Sequence, residues 1–157
     1  MAGHGPEFLH GTAIALAGRA ALIRGAPGAG KSDLALRCLM QPANAIITEQ
    51  AILVADDQVI VESIDDRLLL RCPPTIRGQL EVRGVGIVEM PWNEPAELQL
   101  VVDLVPPEQV ERLPEPSFAH LQNIGVRRLV LAPFEASAPL KLMLALRNDV
   151  TSAWHVK

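Results

Sequence analysis

The run Gly25-Ala26-Pro27-Gly28-Ala29-Gly30-Lys31-Ser32 fits the pattern G-x-x-x-x-G-K-[ST]. Phosphate oxygens are held by several convergent backbone N–H groups, and glycines let the chain approach closely enough to supply them. In such a loop Lys31 reaches the β- and γ-phosphates and the Ser32 hydroxyl serves Mg²⁺. At ordinary residue frequencies the four fixed positions arise by chance roughly once in a few hundred chains of this length. Asp56 and Asp57 close an apolar run, Ala51 to Ala55, and supply the companion chemistry. A carboxylate at a strand end can organise a hard cation, directly or through water. A second can accept a proton from an attacking hydroxyl. The plainer reading of the pair is a solvated turn between strands.

Two further groups carry weaker signals. His10 stands before Gly11 and, taken alone, reads as an ordinary surface or half-buried histidine. In Glu81-Val82-Arg83-Gly84-Val85-Gly86-Ile87, strand alternation places Glu81 and Arg83 on one face, and the glycines permit a tight turn. A salt-bridged strand end accounts for that pair equally well.

The elements that must position these residues follow from periodicity and turn chemistry. Thr12, Ile14 and Leu16 alternate with alanines, Gly18 supplies a turn, and Ala20 to Arg24 is a second short apolar run, a hairpin or paired strands. The glycine loop follows, then a helix over Ser32 to Met40 with Leu34, Ala35, Cys38 and Leu39 on one face, ended by Pro42. Ala51 to Ala55 is short and uniformly apolar, as for a strand buried on both faces. Val59 to Val61 and Leu68 to Arg71 flank Ser63 to Arg67 as a hairpin, and Leu80 to Arg83 is a strand. Leu98, Leu100, Val102 and Leu104 alternate with Gln99 and Asp103 as another. Pro106 to Pro116 is a proline-rich surface loop. Arg128 to Leu131 is the last strand, and Ser137 and Pro139 form the cap and first turn of a helix through Arg147. Strands outnumber helices, so the fold expected is α/β with a P-loop core, a mixed sheet and few helices, in a single domain over residues 1–157.

Composition narrows the function classes. The chain has 157 residues, 49% of them hydrophobic, enough for one buried core. Its formal charge of −4 leaves no excess of cations to neutralise a phosphate backbone, which argues against nucleic acid as a partner. No run reaches the roughly 18 apolar residues of a membrane span, and the N-terminus lacks a signal-peptide pattern, so a soluble cytoplasmic protein is expected. Cys38 and Cys72 have no metal-ligand spacing and read as reduced core thiols.

Taken in order, His10-Gly11, the phosphate loop, Val54-Ala55-Asp56-Asp57 and Glu81-Val82-Arg83-Gly84-Val85-Gly86-Ile87 resemble the catalytic domain of the HPr kinase/phosphorylase family, over about His10 to Arg147. The resemblance implies a stand-alone kinase core without the separate N-terminal domain of longer members. It implies an enzyme that moves phosphate from ATP to a serine of HPr, the phosphocarrier of the sugar phosphotransferase system, and removes it by phosphorolysis with release of pyrophosphate. Lys31 and Ser32 keep their loop roles, and one of Asp56 and Asp57 is the base, with Asp57 preferred. His10 matches the family's active-site histidine, and Glu81 matches a glutamate associated with metal and phosphate, so that the metal set implied is Ser32, Asp56 and Glu81. A homo-oligomer, a hexamer, is implied as well. Two alternatives stand beside this reading: a P-loop kinase of a small metabolite, for which no arginine-rich lid is evident, and a nucleotide-sensing module without turnover.

Two positions depart from the family pattern. Asp33 stands where a glutamate is common. The segment Ala132-Pro133-Phe134-Glu135-Ala136-Ser137-Ala138-Pro139 falls where longer members carry a basic, glycine-containing loop, with Ala138 opposite an arginine. The loss of positive charge there implies a change in recognition of the protein substrate, reported by Ala138→Arg, with nucleotide chemistry left alone.

Overall fold

The structure, a computed structural model, describes residues 5–147. Strands β2 (Thr12–Leu16) and β3 (Arg19–Arg24) form the expected hairpin. Its turn residues Ala17 and Gly18 both have positive φ, the conformation that matches the twist of a two-residue hairpin. Helix α1 (Lys31–Leu39) follows the glycine loop and leads back to β4 (Ile52–Ala55). Strands β5 (Gln58–Ile64) and β6 (Arg67–Arg71) form a second hairpin about Asp65-Asp66, again both at positive φ. A separate two-stranded sheet is made by β7 (Gln79–Val82) and β8 (Gly86–Glu89). The long strand β9 (Ala96–Leu104), the hairpin β10 (Ser117–Leu121) with β11 (Ile124–Leu131), and α2 (Ala138–Leu146) complete the chain. An N-terminal strand, β1 (Glu7–His10), pairs antiparallel with β5.

The fold class is the mixed α/β arrangement expected, with nine strands in the main sheet and two α-helices among the described residues. Strand β9 is its axis. It pairs in parallel with β3 on one edge, and its other edge is shared: Ala96 and Glu97 pair with β6, whereas Leu100 to Leu104 pair in parallel with β11. The sheet forks there. At the fork Ala20 pairs with Leu98 but Ala21 with Leu100, so Gln99 is an extra residue in β9. A bulge of this kind reverses the alternation of side chains. Leu98 therefore packs in one core and Leu100 and Val102 in the other, which corrects the reading of Leu98 to Leu104 as a single uninterrupted face.

The two cores lie on opposite faces of the sheet. On one face Ala13, Ala20, Leu22 and Val101 meet residues of the curled arms, among them Val59, Val61, Leu68, Leu70, Ala119 and Val126. On the other Ile14, Ala21, Ile23, Leu100 and Val102 meet Leu34, Ala35 and Cys38 of α1 and Leu142, Met143 and Leu146 of α2. Helix α2 is also held by its last turn, where Arg127 donates to the Ala145 carbonyl and Arg19 to that of Leu146, cations placed where helix carbonyls lack partners. Ser137 has helical backbone angles and makes no side-chain cap; Ala138 N–H donates instead to the Glu135 carbonyl. Strand β4 is an edge strand whose outer side is covered by Pro91 to Asn93, through hydrogen bonds to and from Leu53. Strands β1, β8 and β10 were outside the expected set. No helix among the described residues is long and apolar enough to cross a membrane.

Cys38 lies on the buried face of α1 and Cys72 just beyond β6, in different cores, and both are free and buried. Burial pushes the Cys38 thiol up to about 12, against a small opposing effect of Arg37, and burial with the charge of Glu94 pushes Cys72 up to about 11. A thiol at about 11 is about one thousandth thiolate at pH 8. Iodoacetamide at pH 8 should therefore leave both cysteines of the folded protein unmodified over an hour and label both in guanidinium chloride, as read by intact mass.

Candidate active site

Strand β2 runs antiparallel to both β3 and β4, so β3 and β4 point the same way with β2 between them. The C-terminal ends of β3 and β4 and the start of β2 thus meet at one edge of the sheet. β9 and β11 are parallel to β3 and end at the same edge. Parallel strands that end together leave a crevice at their carboxyl ends, the usual place for a ligand in open α/β sheets.

The glycine loop emerges from β3 into this crevice. Gly30 has φ 104°, and a Cβ there would stand 3.0 Å from the Phe134 ring, so conformation and space both demand glycine. Lys31 is the first residue of α1, and its Nζ donates to the Gly25 and Ala26 carbonyls at 2.9 and 3.2 Å. The ammonium therefore lies across the loop's own backbone, next to the N–H groups of the first turn of α1, where an anion is favoured.

Asp56 is the centre of the constellation. It is 6% exposed, and its Oδ1 accepts from the Ser32 hydroxyl at 2.6 Å and from the Thr12 hydroxyl at 2.9 Å, while Oδ2 accepts from the Glu81 N–H at 3.0 Å. One carboxylate thereby joins β2, α1 and β7. The sequence reading took Thr12 only as a strand residue and not as part of the site, although it is the one hydroxyl in the otherwise apolar Thr12-Ala13-Ile14-Ala15-Leu16. A bulge at Val54 in β4, which leaves Ala13 opposite Ala55 and Ile14 opposite Leu53, lies just before this carboxylate.

Asp57 differs in every respect. It has φ 72°, and its side chain is 66% exposed, with Oδ1 3.7 Å from Nδ1 of His10, itself 76% exposed. The Gly11 N–H donates to the Asp57 carbonyl and brings the two segments together. A Cβ at Gly11 would lie 3.0 Å from the Ile23 carbonyl oxygen, which explains why glycine follows His10. His10 and Arg24 also line a small polar recess with Glu7, His120 and Gln122.

Of the expected site residues, the structure gathers Lys31, Ser32, Asp56, Asp57 and His10 at one edge. Glu81 arrives through its backbone N–H, and its side chain is exposed. Arg83 lies beyond β7 in the turn closed by Val85 N–H to Val82 C=O, so the shared strand face expected for Glu81 and Arg83 is not formed. Among the described residues no group of three or more His, Cys, Asp or Glu side chains converges as a metal cage. The hard oxygens of Asp56 and Ser32, 2.6 Å apart, nevertheless suit Mg²⁺, which takes one or two protein oxygens and completes its shell with phosphate and water.

A cluster that the sequence reading missed lies directly before the loop. Arg24, last in β3, grips Asp103 of β9 with two hydrogen bonds of 2.8 and 3.0 Å, and Arg128 of β11 donates to the same carboxylate. The Ala132 to Pro139 segment is also placed differently from expectation. Ala138 is fully buried in the first turn of α2, so an arginine there would disrupt the core and cannot report on docking. Arg37, paired with Asp33 at 3.0 Å, donates to the carbonyls of Pro133 and Glu135 and ties this segment to α1.

Comparison with known proteins places this geometry. The family model described as "HPr Serine kinase C-terminal domain" matches residues 5–131. The chain belongs to that family. An HPr kinase/phosphorylase of Leptothrix cholodnii is 34% identical over 156 residues, covering 90% of this chain and 45% of its own length. One from Clostridium beijerinckii is 39% identical over 82 residues, covering 52% of this chain and 24% of that protein. This HPr-kinase-type chain thus spans about half, or less, of the length of the curated relatives it matches. The solved structure of the Hpr(Ser) kinase/phosphatase from Coxiella burnetii superposes with a TM-score of 0.77 at 21% identity, covering 94% of this chain and 98% of that one, and shares the fold.

Burial raises the Asp103 carboxyl, but hydrogen bonds and charge from Arg24 and Arg128 more than reverse this and hold it below its ordinary value of about 3.8. A depressed carboxyl stabilises the fold above its unfolded pKa, and the contribution is lost as pH falls through the folded value. Asp103→Asn should therefore cost about 2 kcal/mol at pH 7 by stranding two guanidinium groups. The difference from wild type in calorimetric melting should shrink as pH falls from the ordinary carboxylate range through the lowered folded value.

Proposed function

We propose that this domain transfers the γ-phosphoryl group of ATP to a serine hydroxyl of an HPr-type phosphocarrier protein, and that it also runs phosphorolysis of the phosphoserine. The single observation that carries the reading is the contrast between the two carboxylates. Asp56 is buried and committed to three hydrogen bonds beside the glycine loop, whereas Asp57 next to it is exposed and faces His10. A buried, fully engaged carboxylate suits organisation of a cation and phosphates. An exposed one suits proton transfer with a substrate that arrives from solvent.

In this reading the loop N–H groups and Lys31 hold the β- and γ-phosphates, and Asp56 and Ser32 would hold Mg²⁺, which neutralises phosphate charge when bound. The serine oxygen attacks the γ-phosphorus, the bond from that phosphorus to the β-bridging oxygen breaks, and ADP departs while the serine proton passes to Asp57. In phosphorolysis an oxygen of inorganic phosphate attacks the phosphoserine phosphorus, the bond from that phosphorus to the serine oxygen breaks, the departing serine oxygen takes a proton from Asp57, and pyrophosphate is the product. His10, 3.7 Å from Asp57, positions that carboxylate. Glu81 is assigned through its backbone alone, and its carboxylate is the weakest member of the metal set. The polar recess lined by His10 and Arg24 receives the serine-bearing segment. The domain acts as a homo-oligomer in the cytoplasm, and exposed Leu140 and Leu144, one turn apart on α2, offer a surface for assembly.

Incubation with γ-labelled ATP, Mg²⁺ and an HPr-like protein tests the reading. Lys31→Ala should abolish ATP binding in calorimetric titration. Asp57→Asn should keep ATP affinity within about tenfold and lose about a hundredfold or more in transfer, because asparagine tolerates the positive φ at this position while losing the basic oxygen. ATP binding without label transfer to any protein would instead establish a nucleotide sensor. Unchanged turnover in the Asp57 variant would remove it as the base.

A further inference from the structure

On the flank of β3 away from Asp56 and Asp57, the chain segments leaving β9 and β11 enclose an apolar groove of about 430 Å³. Ala29 of the glycine loop, Leu104, Pro106, Pro107, Pro133 and Phe134 line it. We propose that this groove seats the base of the nucleotide whose phosphates lie on the glycine loop, that Phe134 stacks on the base, and that the seat distinguishes purines only weakly. The inference rests on the nucleotide reading of the loop and adds where the base goes and how it is selected.

Continuity with the loop fixes the occupant. The groove begins at Ala29, and the Phe134 ring touches the space above Gly30. A base joined through one ribose to phosphates in the loop must land close beside it. On the other side the recess that includes His10 and Arg24 is smaller, about 260 Å³, and lined largely by polar and charged side chains. The groove flank is open, apolar and the right size, since small-molecule pockets usually hold 300 to 1,000 Å³, roughly. Phe134 is 71% exposed, a large apolar ring held at the mouth of a phosphate loop. Every base offers a π-face to such a ring. The wall is also preformed, because Arg37 fastens the carbonyls on either side of Phe134 to α1.

Selectivity follows from what the groove lacks. Pro106, Pro107 and Pro133 have no N–H to offer a base edge. The Pro106 and Pro107 carbonyls accept from Gln109 and Val110, those of Pro133 and Glu135 accept from Arg37, and the Glu135 carboxylate is paired with Lys141 at 3.0 Å. An apolar pocket without directed hydrogen bonds discriminates similar ligands poorly. In this proposal the 132–139 segment, expected to act on protein docking, serves the nucleotide.

The test measures affinities of the full chain for ATP, GTP and inorganic tripolyphosphate, each with Mg²⁺, together with melting temperature. Wild type should bind ATP and GTP within about fivefold of each other and both more tightly than tripolyphosphate. Phe134→Ala should weaken both nucleotides about tenfold and leave tripolyphosphate unchanged, and Phe134→Tyr, which keeps the ring face, should restore ATP. Equal loss of ATP and tripolyphosphate in the alanine variant would overturn the proposal by showing that the ring acts through Gly30. Unchanged ATP affinity would also overturn it and leave the groove to a protein side chain or a second copy. Wild type that binds neither ATP nor tripolyphosphate would overturn the reading of the loop itself, whereas equal affinity for the two would remove only the base seat.

Discussion

Burial of the Asp56 carboxylate constrains everything around it. A charge taken out of water is tolerated only when hydrogen bonds replace its hydration, and here the replacements come from three separate elements, β2, α1 and β7. Each must arrive with its donor at the right place. That requirement fixes the first turn of α1, and hence the mouth of the glycine loop, relative to the sheet. It also draws the small β7–β8 sheet onto the site without recruiting the Glu81 carboxylate. Asp57 beside it is left exposed, because its neighbour has already accounted for the local structure.

The sheet supports this edge by dividing its side chains between two cores. Small residues dominate the strands that must pack on both sides, with Ala13, Ala15, Ala20 and Ala21 among the fully buried positions. Alanines let the curled arms and the helices approach a shared central layer closely, while Leu22, Ile23, Leu100 and Val102 fill the remaining volume. The bulge at Gln99 allows one strand to serve both arms by changing which face its side chains present where its neighbour changes from β6 to β11.

Local chemistry was legible in the sequence, and long-range geometry was not. The glycine loop, the helix after it and the carboxylate pair are encoded by contiguous residues, as are the Ala17-Gly18 and Asp65-Asp66 turns. Strand β1 was missed because it is a short edge strand whose side chains are mostly exposed, so it lacks the alternation that burial imposes. Strand β10 does alternate, with Ala119 and Leu121 inward and Phe118 and His120 outward, but a small residue and a polar one mute the pattern. Strand β8 packs too little to carry a signal. Thr12 and the Arg24–Asp103–Arg128 cluster could not be read because their partners lie far away in the chain. Ala138 was misplaced for a related reason: alignment with a basic loop says nothing about whether a position faces solvent.

The separation of partners in sequence sets an order of events during synthesis. Arg24, the residue before the glycine loop, finds its carboxylate 79 positions later, in β9. Until β9 emerges from the ribosome, β3 has a neighbour on only one edge, and the β5–β6 hairpin has no strand to join it to β3. Closing a loop of that length before its contacts form is entropically unfavourable, so pairing waits for the later strand. A growing chain therefore carries the whole glycine-loop sequence well before it has a scaffold to hold that sequence in shape.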